Sequence, residues 1–332
     1  MDKHLDFLKH IDKTVLPTEL SVGTDCSGIE APIHALELLG IKVNHKFSSD
    51  IDKFVISSIK ANYNPEIIYD NIMTRNHNTL PHVDLYVAGF PCQAFSSLGK
   101  RAGFTDVKKG LIFFDCLNTI KAVKPKIFML ENVVALKWHD KHKTFKTIMD
   151  HLNNLVDYNI YVDIYNTLDY GLPHSRNRIY FIGLHKKYFN NGFKKPDPIV
   201  LPISITDIIE TNYTQKTKLT QHKLDLLDNL IKSGKIDTLD NPWCINLNVS
   251  TIDRAQQKKN IASCLIATAT KYYSPLQREL IPREMLRLQG FSDKFKIVVT
   301  NRQMVKQTGN SMSTNVICFI YEAIFKQLKL PF

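Results

Sequence analysis

The chain has 332 residues, of which 44% are hydrophobic and 23% charged, the composition of an ordinary globular protein with one large domain or a large and a small one. No run of 18 or more apolar residues occurs, which argues against a membrane span, and residues 1–17 lack the charged-then-apolar plan of a secretory signal. The formal net charge of +11 points to a polyanionic partner, although a merely solvated basic surface carries such a charge equally well.

Strand-like and helix-like segments alternate along the first two-thirds of the chain. The pattern predicts strands over residues 20–26, 43–49, 83–88, 126–130, 160–165 and 178–184. It predicts helices over residues 30–39, 51–62, 110–123 and 143–155. This order indicates an α/β fold with a doubly wound, mostly parallel sheet.

The alternation fades near residue 185, where the chain becomes rich in Lys, Asn, Thr and Asp, with Pro196, Pro198 and Pro202 at the junction. We predict that residues 185–280 form a second, smaller domain of irregular or β-rich structure. Helical patterns return over residues 282–288 and 313–328. The predicted division is therefore 1–184, then 185–280, then 281–332 returning to the first domain.

Six cysteines are spread over the chain without a C-x-x-C pair, and no H-E-x-x-H occurs, so we expect no metal site. Most of these cysteines lie in apolar runs, as small buried hydrophobes do. Cys92 differs because it follows a predicted strand, in a loop that contains basic residues. A thiol in such a position can ionise and act as a nucleophile, although a lone cysteine is more often inert.

Ligands of doubly wound sheets bind beyond the carboxyl ends of the strands. Here those ends carry Gly28, Asp50, Cys92 and Glu131. A glycine turn admits close backbone approach and a carboxylate accepts ribose hydroxyls, so a nucleoside cofactor fits, with a plain turn and a helix N-cap as the alternatives. The sequence lacks both G-x-G-x-x-G and the P-loop motif, which argues against a dinucleotide and against a P-loop NTPase.

Residues 89–96, GFPCQAFS, resemble the nucleophile motif of cytosine-C5 DNA methyltransferases. Five further matches follow in the order of that family: LIFFD at 111–115, ENV at 131–133, the arginine motif within 169–178, REMLRLQGF at 283–291 and QTGNSM at 307–312. One match alone has little weight, but six in order cover nearly the whole chain. The sequence is identified as a member of this family.

The resemblance implies a Rossmann-like methyltransferase sheet that uses S-adenosyl-L-methionine, with residues 185–280 as the target-recognition domain. It implies that double-stranded DNA is the partner and that the target cytosine is flipped out of a short specific sequence. Cys92 is expected to add to C6 of that cytosine, so that C5 becomes nucleophilic and accepts the methyl group.

Glu131 is then expected to hydrogen-bond the cytosine edge and Arg178 its O2 atom, while Arg176 contacts phosphate or supports the pocket. For Glu131 the alternative is a buried carboxylate paired with an arginine, and for the arginines strand-edge charges. The expected cofactor contacts are Ser27, Gly28, Ile29, Asp50, Ile51, Ile72, Asn310 and Ser311. The expected DNA contacts near the nucleophile are Gln93, Ser96, Lys100 and Arg101.

Four positions depart from the family pattern: Cys26 and Ile51 replace aromatic residues, Asn71 replaces an acidic one, and Cys264 replaces a threonine. The alternatives are a transfer-RNA cytosine-5 methyltransferase, whose Pro-Pro-Cys and Cys-Phe-Thr signatures are missing here, and an inactive DNA-binding relative. We expect a monomer without metal, cytoplasmic or, in a eukaryote, nuclear and not secreted. A restriction endonuclease is a possible partner.

Overall fold

The computed structural model describes residues 3–91, 112–199 and 201–329. The contacts divide the chain into two compact units. The large unit comprises residues 11–165, 177–197 and 316–332, and the small unit comprises residues 1–10, 166–176 and 198–315. The predicted division into residues 1–184, 185–280 and 281–332 follows function rather than contacts, and it stays a prediction.

The strands that the structure describes contain two to nine residues. Their bounds are β1 (Glu19–Asp25), β2 (Lys42–Ser49), β3 (Ile67–Tyr69), β4 (Leu85–Ala88), β5 (Ile127–Val133), β6 (Tyr158–Asn166), β7 (His174–Ser175), β8 (Asn177–His185), β9 (Trp243–Ile245), β10 (Gln257–Lys259), β11 (Ala262–Ser263), β12 (Tyr272–Tyr273) and β13 (Arg278–Glu279).

The helices follow the same chain order. Their bounds are α1 (Ala31–Leu39), α2 (Lys53–Asn62), α3 (Ile112–Val123), α4 (Lys143–Asn153), α5 (Gln221–Lys232), α6 (Pro282–Leu288), α7 (Asn301–Asn310) and α8 (Thr314–Phe325). The sequence predicted neither α5 nor α7, because both are polar helices with few buried positions. No helix in the described part of the chain is long and apolar enough to cross a membrane.

Seven strands form the sheet of the large unit in the order β3-β2-β1-β4-β5-β8-β6. Strand β1 lies parallel to β2 and β4, and β4 lies parallel to β5, whereas β5 and β8 are antiparallel. The central strands β4 and β5 are buried on both faces, which explains their continuous apolar runs. The predicted doubly wound, mostly parallel α/β sheet is confirmed.

The small unit contains a separate antiparallel sheet in the order β10-β9-β12-β13, and β11 pairs with β7. The prediction of irregular or β-rich structure for residues 185–280 is confirmed by this sheet and the irregular chain around it, whereas the helix α5 in the same region was not predicted. A buried ion pair joins Arg278 and Glu284, with Arg278 Nη2 2.6 Å from Glu284 Oε1 and Nη1 2.9 Å from Oε2. Because both side chains are almost fully buried, this pair belongs to the core of the unit.

Candidate active site

The carboxyl ends of β1 and β2 are joined by backbone and side-chain hydrogen bonds. Ser27 N donates to Ser49 O at 3.0 Å, and Ser49 N donates to the Ser27 hydroxyl at 2.9 Å. Gly28 N donates to Asp50 Oδ2 at 3.0 Å, while Asp52 N donates to Asp50 Oδ1 at 2.9 Å. The structure thus brings together three predicted cofactor residues, Ser27, Gly28 and Asp50, at one edge of the sheet.

The residues around this turn have the properties of a nucleoside site. Gly28 has φ +54°, and no atom of the described residues lies within 4 Å of a Cβ built there, so these residues leave room for a ligand beside the turn. Burial raises the pKa of the Asp50 carboxyl, although the amides of Asp52 and Gly28 oppose this effect. Ile51 directly follows and is 80% exposed, as an apolar surface for a base must be. A carboxylate for hydroxyls beside an open apolar side chain fits S-adenosyl-L-methionine.

Three of the other predicted cofactor residues have buried side chains, and the fourth is exposed. The side chain of Ile29 is buried, so it offers the site only its backbone, and Ile72 packs in the core of the large unit. Asn310 ends α7 with an exposed side chain, and the buried Ser311 follows it in the small unit. Asp52, and not Asp50, is the side chain that caps α2, so the N-cap alternative for Asp50 is wrong.

The segment that leads to the nucleophile is tied to β5. Asn132 Nδ2 donates to the carbonyl oxygen of Phe90 at 3.2 Å. The buried ring of Phe90 packs against Phe113, with 5.8 Å between the ring centroids. Residues 92–111 lie outside the described residues, and they include the predicted Cys92, Gln93, Ser96, Lys100 and Arg101. The structure therefore describes the chain up to Pro91, the residue directly before the predicted nucleophile.

Glu131 and Arg178 form an ion pair at the end of β5. The register pairs Glu131 with Tyr180 and Val133 with Arg178, so both charged side chains lie at the same end of the β5–β8 ladder. Arg178 Nε is 3.1 Å from Glu131 Oε1, and both side chains are largely buried. The two residues predicted to contact the base are thus adjacent. The alternative role of Glu131, a buried carboxylate paired with an arginine, requires the same ion pair.

Arg176 is 1% exposed and binds backbone carbonyls of the small unit. Its guanidinium donates to Leu265 O at 2.9 Å, Gly309 O at 3.2 Å and Ser311 O at 2.7 Å. With so little exposed surface, Arg176 is unsuited to a phosphate contact. The contacts favour the other predicted role, support of the surrounding backbone, which includes Ser311 itself.

Sequence reasoning missed two polar contacts of the large unit. One is the Asn132 bond to Phe90, whose only signal was the position of Asn132 inside the ENV motif. The other is a buried pair in which Arg75 donates to both carboxylate oxygens of Asp25 at the end of β1, and Tyr86 donates to the same carboxylate at 2.7 Å. Asp25 and Arg75 are 50 positions apart, so no local pattern signals the pair.

No group of three or more His, Cys, Asp and Glu side chains suited to a metal ion occurs among residues 3–91, 112–199 and 201–329. The thiols near the site also differ from a reactive cysteine. Burial raises the pKa of Cys26 well above its usual range, and it does the same for Cys116. Both thiols are therefore protonated at neutral pH and poorly nucleophilic.

The sheet order and the strand-end residues define a methyltransferase fold, and solved structures share it. The Schizosaccharomyces pombe Dnmt2 methyltransferase matches with a TM-score of 0.65 and 18% identity over 92% of this chain and 98% of that one. The Entamoeba histolytica methyltransferase EhMeth matches with a TM-score of 0.63 and 18% identity, over 93% and 98% of the two chains. At this level of identity the likeness concerns the fold alone.

Sequence comparison identifies the family. The family model of C-5 cytosine-specific DNA methylases matches residues 25–326. The Type II methyltransferase M1.ScrFI of Lactococcus lactis subsp. cremoris is 37% identical over 300 residues, which cover 87% of this chain and 74% of that protein. M.HaeII of Haemophilus aegyptius is 36% identical over 294 residues, covering 86% of each. The chain belongs to the C-5 cytosine-specific DNA methylase family, whose enzymes use S-adenosyl-L-methionine.

Proposed function

We propose that this protein methylates C5 of a cytosine that it flips out of a short, specific sequence of double-stranded DNA, through a covalent bond between Cys92 and C6. The observation that carries the proposal is the hydrogen bond from Asn132 to the Phe90 carbonyl. It joins the strand that bears Glu131 to the segment that leads directly into Cys92. We propose that the nucleophile after this segment and the carboxyl group of Glu131 act on opposite sides of one pyrimidine ring.

The chemistry requires C5 of cytosine to become electron-rich. The Cys92 thiolate forms a bond to C6. The electrons of the C5–C6 double bond then shift to C4–C5, and negative charge builds on N3. The carboxyl group of Glu131, in its protonated form, donates a hydrogen bond to N3 and stabilises the charge that builds there, while Arg178 donates to O2. C5 then takes the methyl group, with S-adenosylhomocysteine as the leaving group. A base removes the C5 proton, and the returning electrons expel the Cys92 thiolate.

Bound S-adenosyl-L-methionine supplies an electrophilic methyl group. In this proposal Asp50 accepts hydrogen bonds from the ribose hydroxyls, and Ile51 packs on the adenine. Gly28 and the backbone of Ser27 and Ile29 line the turn. The 80% exposure of Ile51 supports its role. A ring that covers so exposed an isoleucine removes apolar surface from water, which is favourable. Ile72, Asn310 and Ser311 stay as predicted contacts.

The residues that bind DNA are part of the same proposal. We assign target recognition to residues 185–280, and DNA contacts near the flipped base to Gln93, Ser96, Lys100 and Arg101. The net charge of +11 supports a phosphate-binding surface. A restriction endonuclease that recognises the same sequence is the partner we propose, because the relatives in this comparison are Type II methyltransferases.

The test is methyl transfer from radiolabelled S-adenosyl-L-methionine to unmethylated genomic DNA, with bisulfite sequencing of the product to identify the site. Transfer RNA serves as the competing substrate. We expect label in DNA at one short sequence, none in transfer RNA, and none in either with Cys92→Ser. Label in transfer RNA alone, or unchanged DNA methylation by Cys92→Ser, is incompatible with the proposal.

A further inference from the structure

A buried carboxylate, that of Glu30, lies directly behind the cofactor turn. Glu30 precedes α1, its side chain is 0% exposed, and its backbone has φ +58°. Its Oε1 atom accepts hydrogen bonds from the Thr24 hydroxyl at 2.7 Å and from the Ser48 hydroxyl at 2.6 Å. Glu30 thus connects the end of β1 to the end of β2. The proposed reaction gives this residue no role.

Hydrogen bonds continue from Glu30 to the turn itself. The Thr24 hydroxyl, which donates to Glu30, is 2.7 Å from the Ser27 hydroxyl. The Ser27 hydroxyl in turn accepts from Ser49 N at 2.9 Å. Since Gly28 N binds the Asp50 carboxylate, the whole turn is clamped between the two strand ends. A displacement of the Glu30 carboxylate therefore changes the position of Ser27 relative to Asp50.

Keeping Glu30 in this place is costly to the fold. A non-glycine residue in the left-handed region is strained, and a carboxylate without solvent loses its hydration energy. The buried imidazole of His45 lies beside it, with Nε2 3.5 Å from Glu30 Oε1. Within the described residues, Oε2 of Glu30 has no hydrogen-bond partner. Strain and desolvation of this kind concentrate where geometry serves a ligand.

We infer that Glu30 is a positioning residue for the cofactor. Through Thr24 and Ser48 it holds the Ser27–Gly28 turn at the distance from Asp50 that the ribose and methionine parts of the ligand require. It does not touch the cofactor, because its side chain has no exposed surface. The inference rests on the proposed cofactor site. It adds Glu30, which is not among the residues predicted to contact the cofactor.

The first test is Glu30→Gly in the full-length protein. Glycine adopts a positive φ without strain, so this variant removes the carboxylate and relieves the backbone together. We expect the Kd for S-adenosylhomocysteine, measured by calorimetry, to rise about tenfold, which corresponds to about 1.4 kcal/mol. The KM for S-adenosyl-L-methionine should rise in parallel while kcat at saturation changes little, because the loss is in binding.

Two matched variants separate positioning from general effects. Glu30→Gln keeps an acceptor oxygen for the two hydroxyls, so we expect it to retain most of the affinity. Glu37→Gln removes a carboxylate of the same helix whose side chain is half exposed, and it should leave the Kd unchanged. Ser48→Ala should weaken binding less than Glu30→Gly, and the double variant should be no worse than Glu30→Gly, since both act through one network.

The thermal midpoint Tm and the Kd for DNA distinguish this role from a purely structural one. We expect Glu30→Gly to have a Tm at least as high as that of the wild type, and the same DNA affinity, while it loses cofactor affinity. Unchanged cofactor affinity, or a joint loss of Tm, DNA binding and cofactor binding, overturns the inference. Failure of the wild-type protein to bind S-adenosylhomocysteine overturns the proposed function instead, so the two failures are distinguishable.

Discussion

The large unit and the small unit are each stabilised by different kinds of contact. In the large unit the cofactor edge follows from backbone geometry, because parallel strands end side by side and their next residues meet. The small unit has strands of two or three residues, and buried apolar clusters and polar pairs such as Arg278 with Glu284 stabilise its irregular chain. The comparison teaches that regular strands bring the cofactor residues of the large unit together, whereas the short strands of the small unit need side-chain contacts to fix them.

The largest effect should come from a substitution at Glu131 in the large unit. Glu131→Gln keeps the size of the side chain but removes its charge and its ability to exchange a proton with N3. General acid–base groups contribute about 10²–10⁴-fold, so we expect kcat to fall about a thousandfold. Affinity for S-adenosylhomocysteine should stay the same, and Glu19→Gln, an exposed carboxylate on the same sheet, is the control. Equal activity of Glu131→Gln and the wild type would exclude the assigned role.

In the small unit the sharpest change is Arg278→Met. It leaves Glu284 as an uncompensated buried charge, which costs about 3–5 kcal/mol. Hydrogen exchange should therefore accelerate at the amides of β9, β12 and β13, while those of β1 and β4 stay protected. Replacement of both partners by apolar residues should restore much of the stability. Uniform acceleration across both units would show that they do not differ in the way proposed here.

A smaller effect is expected at the cofactor edge. Asp50→Ala removes hydrogen bonds to a charged acceptor, worth about 1.5–3 kcal/mol, so the Kd for S-adenosylhomocysteine should rise about tenfold to a hundredfold. Burial raises the pKa of Asp50, so its protonation begins at a higher pH than for an ordinary aspartate. Ligand hydroxyls bind the ionised form, so wild-type affinity should fall with decreasing pH through that pKa. The pH dependence should disappear in Asp50→Ala, and its persistence there would assign it to another group.

The smallest effect is expected at the link between the strand and the nucleophile segment. Asn132→Ala removes one hydrogen bond to the Phe90 carbonyl, worth about 1 kcal/mol. We expect kcat to fall about fivefold with little change in the KM for the cofactor. Steady-state kinetics with Asn118→Ala, an exposed asparagine on α3, as the control test this. A change confined to KM would place Asn132 on the cofactor side.

Regular elements of the large unit could be predicted because the burial of one face leaves a periodic pattern. Residues 282–288 were predicted as a helix and α6 spans Pro282–Leu288, because proline fixes its start. The strand predicted over 126–130 continues as β5 to Val133, since the polar Glu131 and Asn132 stay in the ladder with β8. The three-residue β3 was missed, because so short a strand shows no period.

The candidate site was predictable in its motifs but not in its supports. Gly28 and Asp50 follow their strands directly, so their meeting could be expected from the order of the elements. The burial of Arg176 and the Glu30 network depend on contacts between distant segments. An arginine bound to carbonyls and an arginine bound to phosphate have the same sequence signature. Only the three-dimensional contacts distinguish the two.

The central claim is that the sulfur of Cys92 bonds to the cytosine ring during catalysis. Duplex DNA with 5-fluorocytosine at the target site, incubated with the protein and S-adenosyl-L-methionine, tests it, because fluorine at C5 cannot leave as a proton does. We expect a stable protein–DNA adduct on a denaturing gel, mapped to Cys92 by mass spectrometry and lost in Cys92→Ser. An adduct mapped elsewhere, or full methylation of ordinary DNA by Cys92→Ser, would contradict the account.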